Sequence, residues 1–305
     1  MKLRTLLTVS CWLLISFCIE GKEISLTFDD APLPGSSVMS GTDKTARIIE
    51  GLKSQQVEDA LFFVTTGNIR DEKGVARLNA YSQAGFHLGH HSHSHSSLNK
   101  LEAKEYLLDF YRAHLMLQNY ENVMRLHRFP FLHYGEMLEK RRIVKAGLDE
   151  LDYQVGYVTV DNFDWYLNGK FLEAHSQKKS INYEKLKEVY ISTIWQAIEF
   201  YDNIALKSLK QNVKHVLLLH ENELAALFIG DLVEHIKRNG WKIISPREAY
   251  TDELLAPYKM EYTFNKQGRV AAIAHNKGVD KSSLRSEAEN KDYLDDLLKK
   301  NEVFK

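Results

Sequence analysis

Short apolar runs rich in β-branched and aromatic residues alternate with longer amphipathic segments from Ile24 to Ile244, and this rhythm constrains the chain more than any other feature. It is the pattern of βα units, because neighbouring parallel strands need a long crossover that is normally a helix. Strands are predicted at about 24–28, 60–64, 86–89, 126–129, 154–160, 215–219 and 241–244. Helices are predicted at about 44–55, 75–84, 103–120, 136–149, 183–209 and 224–238. The longest carries Leu186, Val189, Tyr190, Thr193, Ile194 and Ala197 at helical spacing, so it is expected to pack on the outside of the sheet. Beyond Tyr250 the rhythm stops. Tyr262 to Ala274 reads as a hairpin around Gln267-Gly268 and Ser283 to Lys305 as a charged terminal helix, so 251–305 is taken as an extension, hairpin plus helix, with no assigned role.

A chain of 305 residues, 44% hydrophobic and 27% charged, can bury a substantial core in one large domain with an appendage. Lys plus Arg (40) nearly equals Asp plus Glu (41), so no global field draws the chain to nucleic acid or anionic lipid. Lys2 and Arg4 precede an apolar run from Leu6 to Phe17, which reads as a signal peptide over residues 1–20 and predicts export, periplasmic or secreted. That run is too short to span a membrane comfortably, and no transmembrane segment is expected after cleavage. Lipid anchoring through Cys18 is disfavoured by the bulky Phe17 before it. The only two cysteines, Cys11 and Cys18, lie in this segment, so a cleaved chain holds its fold without disulfides.

Polar, ligating residues follow the predicted strands directly, where parallel βα architectures gather a site on one face. The first cluster is Asp29-Asp30 before Ala31-Pro32. Adjacent residues of an extended chain point opposite ways, so one carboxylate can bind a metal while the other faces substrate, although such a pair alone also suits a turn. The second, His90-His91-Ser92-His93-Ser94-His95, holds four of thirteen histidines. His91 and His95 share a face if the chain makes a helical turn, and with Asp30 they form a two-His, one-Asp set of the kind that holds a divalent metal. A solvated histidine tract is the alternative. The third cluster centres on Arg128, before Phe129-Pro130-Phe131, whose burial would need a carboxylate; the fourth, Asp161-Asn162-Phe163-Asp164-Trp165, can supply that partner. The fifth is His220, ending the run Val216 to Leu219.

In this order the five clusters resemble the polysaccharide deacetylases with a NodB-homology domain, carbohydrate esterase family four, over about Ile24 to Pro246. The resemblance implies an α/β fold, a distorted (β/α) barrel of seven or eight strands, with a catalytic domain over 21–250 and a small C-terminal extension. It implies one divalent metal ion, commonly Zn2+ with Co2+, Ni2+ or Mn2+ as alternatives, held by Asp30, His91 and His95. Asp29 then resembles the catalytic base, and Arg128 the arginine that orients it, itself held by Asp164. The N–H of Phe131 falls where the family stabilises the oxyanion, with Trp165 on the substrate side, and His220 resembles the general acid. The chain departs from the family pattern at Ala31, at Phe131, and at His90 and His93, either of which could add a ligand, touch the sugar, or simply be a satisfied loop residue.

The expected reaction is metal-assisted N-deacetylation of an N-acetylglucosamine glycan: peptidoglycan, chitin oligosaccharide or an exported polysaccharide. The same chemistry attacks esters more easily, so an O-acetyl esterase on an acetylated xylan-like glycan is a second reading. A non-catalytic metal- or glycan-binding protein is a third, weakened by the presence of both a spare carboxylate (Asp29) and a strand-end histidine (His220).

Overall fold

The computed structural model describes residues 21–257 and 264–305, so the N-terminal segment read as a signal peptide lies outside the described residues. All seven expected strands are present: β1 (Glu23–Ala31), β2 (Leu61–Val64), β3 (His87–His90), β4 (Val123–His127), β5 (Gln154–Val155), β6 (Lys214–His220) and β7 (Lys242–Ile243). They form one parallel sheet in the order β5-β4-β3-β2-β1-β6, with β7 also pairing to β1. The strand expected over 154–160 breaks at Gly156, where a Cβ would lie 2.6 Å from the Phe63 ring. Past this break Val160 bridges to Leu217 of β6, so the sheet curls back toward its other edge as a distorted barrel.

Six helices fall where expected: α1 (Gly41–Ser54), α2 (Glu72–Gln83), α3 (Ala103–Leu117), α4 (Leu138–Asp149), α6 (Tyr183–Leu209) and α7 (Glu223–Arg238). Local chemistry sets their ends. Ser40, Asp71, Asn182 and Asn222 each accept a backbone N–H at a helix start. His235, Lys237 and Arg238 stand in the last turn of α7, where positive charge opposes the helix dipole. The stripe Leu224, Phe228, Ile229, Leu232, Val233 and Ile236 is buried against α1 and the sheet, each large aliphatic contributing roughly 1.5–3 kcal/mol.

Three elements differ from the sequence reading, one of them only in extent: the charged terminal helix expected over 283–305 is confined to Lys291–Lys300. Residues 164–176, where no helix is predicted, form α5 (Asp164–Ser176). Its buried positions do keep helical spacing, but Asp164 and Asn168 occupy two of them, so no apolar stripe is visible. After the short α8 (Pro246–Ala249), the expected hairpin is replaced in its described part by α9 (Arg269–Asn276). Val270 to Ala274 are all buried, and a helix apolar on every side carries no polar face to reveal its period. Short 3-10 turns at Lys281–Ser283 and Glu287–Glu289 lead to α10 (Lys291–Lys300).

Far from hanging off the domain, this tail joins its core: Ala271, Ala274, Leu284, Ala288, Leu294 and Leu298 pack into the same cluster as α6. Among the described residues no helix is long and apolar enough to cross a membrane.

Candidate active site

The C-terminal ends of β1, β3 and β6 open on one cavity of about 530 Å³, and Asp29, Asp30, His91, His95 and His220 all line it. The backbone that brings the first pair there is not the extended one expected. The β1–β2 register shifts between Phe28 and Ala31, and Asp30 takes φ = 69°. Aspartate tolerates this left-handed region better than most residues, and the turn aims both carboxylates into the cavity instead of to opposite faces. Thr65 donates to Asp30 Oδ1 (3.3 Å), and Asn68 Nδ2 donates to the Asp30 carbonyl (2.9 Å).

The histidine loop makes no helical turn either. Ser92 (φ 67°) and His95 (φ 55°) are both left-handed, and Ser92 Oγ accepts the N–H of His95 (2.9 Å). Asp109 of α3 accepts the N–H groups of His93 (2.9 Å) and Ser94 (3.1 Å), pinning the loop from outside. The two rings nevertheless converge, their centroids 4.9 Å apart. Nε2 of His95 lies 3.2 Å and Nε2 of His91 3.7 Å from Asp30 Oδ1. One ligating atom from each of Asp30, His91 and His95 falls within 4.8 Å of the others, a set able to hold a metal ion. Nδ1–H of His91 donates to the Arg128 carbonyl (2.8 Å), which fixes the tautomer with Nε2 as the free lone pair. Burial first, and the charge of His95 next, hold the pKa of His91 well below its ordinary value, so the ring is neutral.

Asp29 lies on the other side of this set. Its Oδ2 is 3.6 Å from His91 Nε2, and its Oδ1 accepts from Arg128 Nη1 at 2.6 Å. Arg128 has no exposed surface, packs 3.9 Å over the Phe63 ring, and also donates to Thr27 Oγ1, the Gly156 and Tyr157 carbonyls and the Tyr250 hydroxyl. Burial works against its charge, but Asp29 and Tyr250 outweigh that and raise its pKa. The expected partnership of Arg128 with Asp164 is therefore wrong: the carboxylate it needs is Asp29 itself.

Asp164 instead serves His220. It accepts Nδ1–H (2.7 Å) and the backbone N–H (2.9 Å) of His220, with Asn222 Nδ2 at 3.0 Å. Burial would lower the pKa of His220, but the charge and hydrogen bond of Asp164, then the charges of Asp30 and Asp29, push it up to about 10. The neighbouring Glu221 is fully buried and accepts from Arg77, Tyr81 and the Leu33 N–H, which ties the end of β6 to the loop after β1.

Phe131 (φ 60°) stands 55% exposed on the cavity wall, its ring 4.5 Å from that of His95, and Trp165 lines the cavity together with Phe163. His90 and His93 are satisfied by the protein. His90 Nε2 pairs with the Phe110 carbonyl (3.0 Å) and its Nδ1 with His127 (2.7 Å), while His93 Nδ1 meets Thr66 Oγ1 (2.9 Å). Sequence reasoning missed Asp109, Tyr250 and Glu221, for which only their positions after other motifs could have served as a signal. It also missed Lys266, Arg285 and Lys291, which bring the tail to the cavity and carried no signal at all.

Residues 18–150 match the model of the polysaccharide deacetylase family. No curated protein matches the chain. Among solved structures it is similar to the peptidoglycan deacetylase PdaC of Bacillus subtilis, with 20% identity and a TM-score of 0.50 over 75% of this chain and 90% of that one. It is also similar to a carbohydrate esterase family four pseudoenzyme of Bacillus anthracis, with 17% identity and a TM-score of 0.52 over 75% of this chain and 66% of that one. These likenesses establish the curled parallel barrel. Because enzyme and pseudoenzyme share it, the side chains in the cavity must carry any statement about chemistry. The sequence likeness to the polysaccharide deacetylase family is thus carried by residues 18–150, and the likeness to the solved structures is one of fold.

Proposed function

We propose that the protein hydrolyses the N-acetyl group of an N-acetylglucosamine-containing glycan, using one divalent metal ion, Zn2+ by preference, at Asp30, His91 and His95. The observation that carries this reading is the division of the paired aspartates: Asp30 faces two imidazole Nε2 atoms, while Asp29 is drawn aside by Arg128. One carboxylate with two imidazoles suits zinc and its neighbours, and the hydrogen bond from His91 Nδ1–H to a carbonyl is the support such ligands ordinarily have. A divalent cation bound there would polarise the acetyl carbonyl and make water acidic enough to serve as nucleophile.

The remaining roles fall to the protein. Arg128 occupies Oδ1 of Asp29 and leaves Oδ2 on the cavity side, positioned to take the proton of the attacking water. With Nδ1–H committed to Asp164, His220 presents Nε2 to the cavity, and its raised pKa keeps a proton there at neutral pH. That proton goes to the departing amine as the C–N bond breaks, leaving acetate and the free amino sugar. The Phe131 N–H is the donor assigned to the charge growing on the acetyl oxygen, and Trp165 supplies an apolar face for the sugar. Zinc-loaded protein is expected to release acetate from N-acetylated chitooligosaccharides or peptidoglycan, and to lose that activity on chelation and regain it on metal addition. Release from acetylated xylan alone would replace this reading with O-ester hydrolysis, and release from no acetylated glycan would remove it.

A further inference from the structure

Part of the cavity lining comes from a part of the chain outside the matched family segment. Lys266, Arg285 and Lys291 all line the cavity, and all three are exposed. Among the described residues none of them lies within ion-pair distance of a carboxylate. Lys291 rests over the rings of Trp165 (5.2 Å) and Tyr166 (5.3 Å), and Arg285 lies 5.7 Å from the Phe264 ring. These contacts hold the side chains beside the cavity without neutralising them.

The turns that carry the cations are fixed to the rest of the site. Lys266 N–H donates to the Leu132 carbonyl (3.0 Å) and Asn265 Oδ1 accepts the Tyr134 N–H (2.8 Å), which joins this turn to the loop bearing Phe131. At Gly268 a Cβ would sit 2.7 Å from the Val158 carbonyl oxygen, so only glycine permits the approach. Ala288 accepts the N–H of Phe163, and buried Glu289 bonds to Tyr201 and Gln267, anchoring the segment between Arg285 and Lys291. Asp161 also lines the cavity; burial and the charge of Glu289 raise its pKa against the opposing charges of His220 and Arg285.

Three cations lining this cavity, with no carboxylate at ion-pair distance among the described residues, call for an anion on the ligand. We infer that the tail is a specificity element that selects glycans carrying a carboxylate close to the acetylated sugar, through Lys266, Arg285 and Lys291. This rests on the deacetylase reading for the identity of the sugar, but it concerns the charge of the neighbouring group. The carboxylate could belong to a hexuronate or to a lactyl ether on the adjoining ring, and both present the same charge to the wall.

The test measures binding and turnover separately. Affinities of the zinc-loaded Asp29→Asn protein are measured by calorimetry for a neutral chitotetraose, a hyaluronan tetrasaccharide, and a disaccharide of N-acetylglucosamine with N-acetylmuramic acid. At least one anionic probe is expected to bind about tenfold tighter than the neutral one, with a preference that shrinks as salt is added. Which anionic probe wins identifies the source of the carboxylate. In the same protein carrying Lys266→Gln, Arg285→Gln and Lys291→Gln, the ratio of anionic to neutral affinity is expected to fall to about one. Equal binding of all probes, absence of binding, or a preference that survives the triple substitution would overturn the inference. Acetate release by the wild-type protein decides the deacetylase reading independently: a charge preference without release from any probe sinks that reading and leaves the cationic wall standing.

Discussion

On the side built by β1, β3 and β4, Asp29, His91 and Arg128 are buried and partnered, and Arg128 alone binds five protein groups. On the side built by the tail, the three cations stand in solvent and hold no carboxylate among the described residues. Buried charges must be fully paired to persist, so the first side is rigid and intolerant of substitution. Exposed charges cost little to keep and little to change, so the second side is free to vary with the ligand. Chemistry and selection are thereby assigned to walls with different mechanical characters.

The contrast can be broken most severely at Asp29. Asp29→Asn should slow acetate release by about 10²–10⁴-fold while one metal ion per chain stays bound, as read by an acetate assay and metal analysis. An unchanged rate would take Asp29 out of the chemistry. Next in size, Arg128→Ala leaves Asp29 buried without its partner and should cost about 3–5 kcal/mol in urea unfolding. A loss below 1 kcal/mol, on the order of a surface substitution, would mean that this side is not the rigid one. Gly268→Ala tests the seam between the walls: the Cβ contact with the Val158 carbonyl should cost about 1–3 kcal/mol in thermal unfolding and loosen the tail to proteolysis.

The smallest effect sharpens the comparison through pH. His220 is needed with its proton, and Asp164 is the main group raising its pKa to about 10, so the alkaline limb of kcat/KM should lie high. Asp164→Asn removes that charge and leaves burial, which acts in the opposite direction. The alkaline limb should therefore move down by at least about one pH unit. A rate lowered equally at every pH, with the limb unmoved, would show that Asp164 only supports the fold.

Much of this was legible because period and position carry physical information. The run Lys214–His220 and the stripe of α6 could hardly be anything but a buried strand and a packed helix, and strand ends had to bring Asp30, His91, His95 and His220 together. What was not legible depended on backbone choices or on partners far apart in sequence. Three left-handed residues, Asp30, Ser92 and His95, aim the ligand side chains, and nothing in the motif announces them. Arg128 chose Asp29 over Asp164 because the two lie across the barrel in a way that only the closed sheet defines. Helix α5 was hidden by its inward Asp164 and Asn168, and α9 by burial on all sides.

The backbone bond from Lys266 to Leu132, with its companion from Tyr134 to Asn265, has a consequence for how such proteins can be recombined. The loop that presents Phe131 and the turn that presents Lys266 form one stitched surface, although some 130 residues of chain separate them. A tail exchanged alone would meet a loop whose donors and acceptors were set for another partner. The heritable module of ligand choice is thus the pair, and relatives that trade one half without the other should be rare among those that still fold.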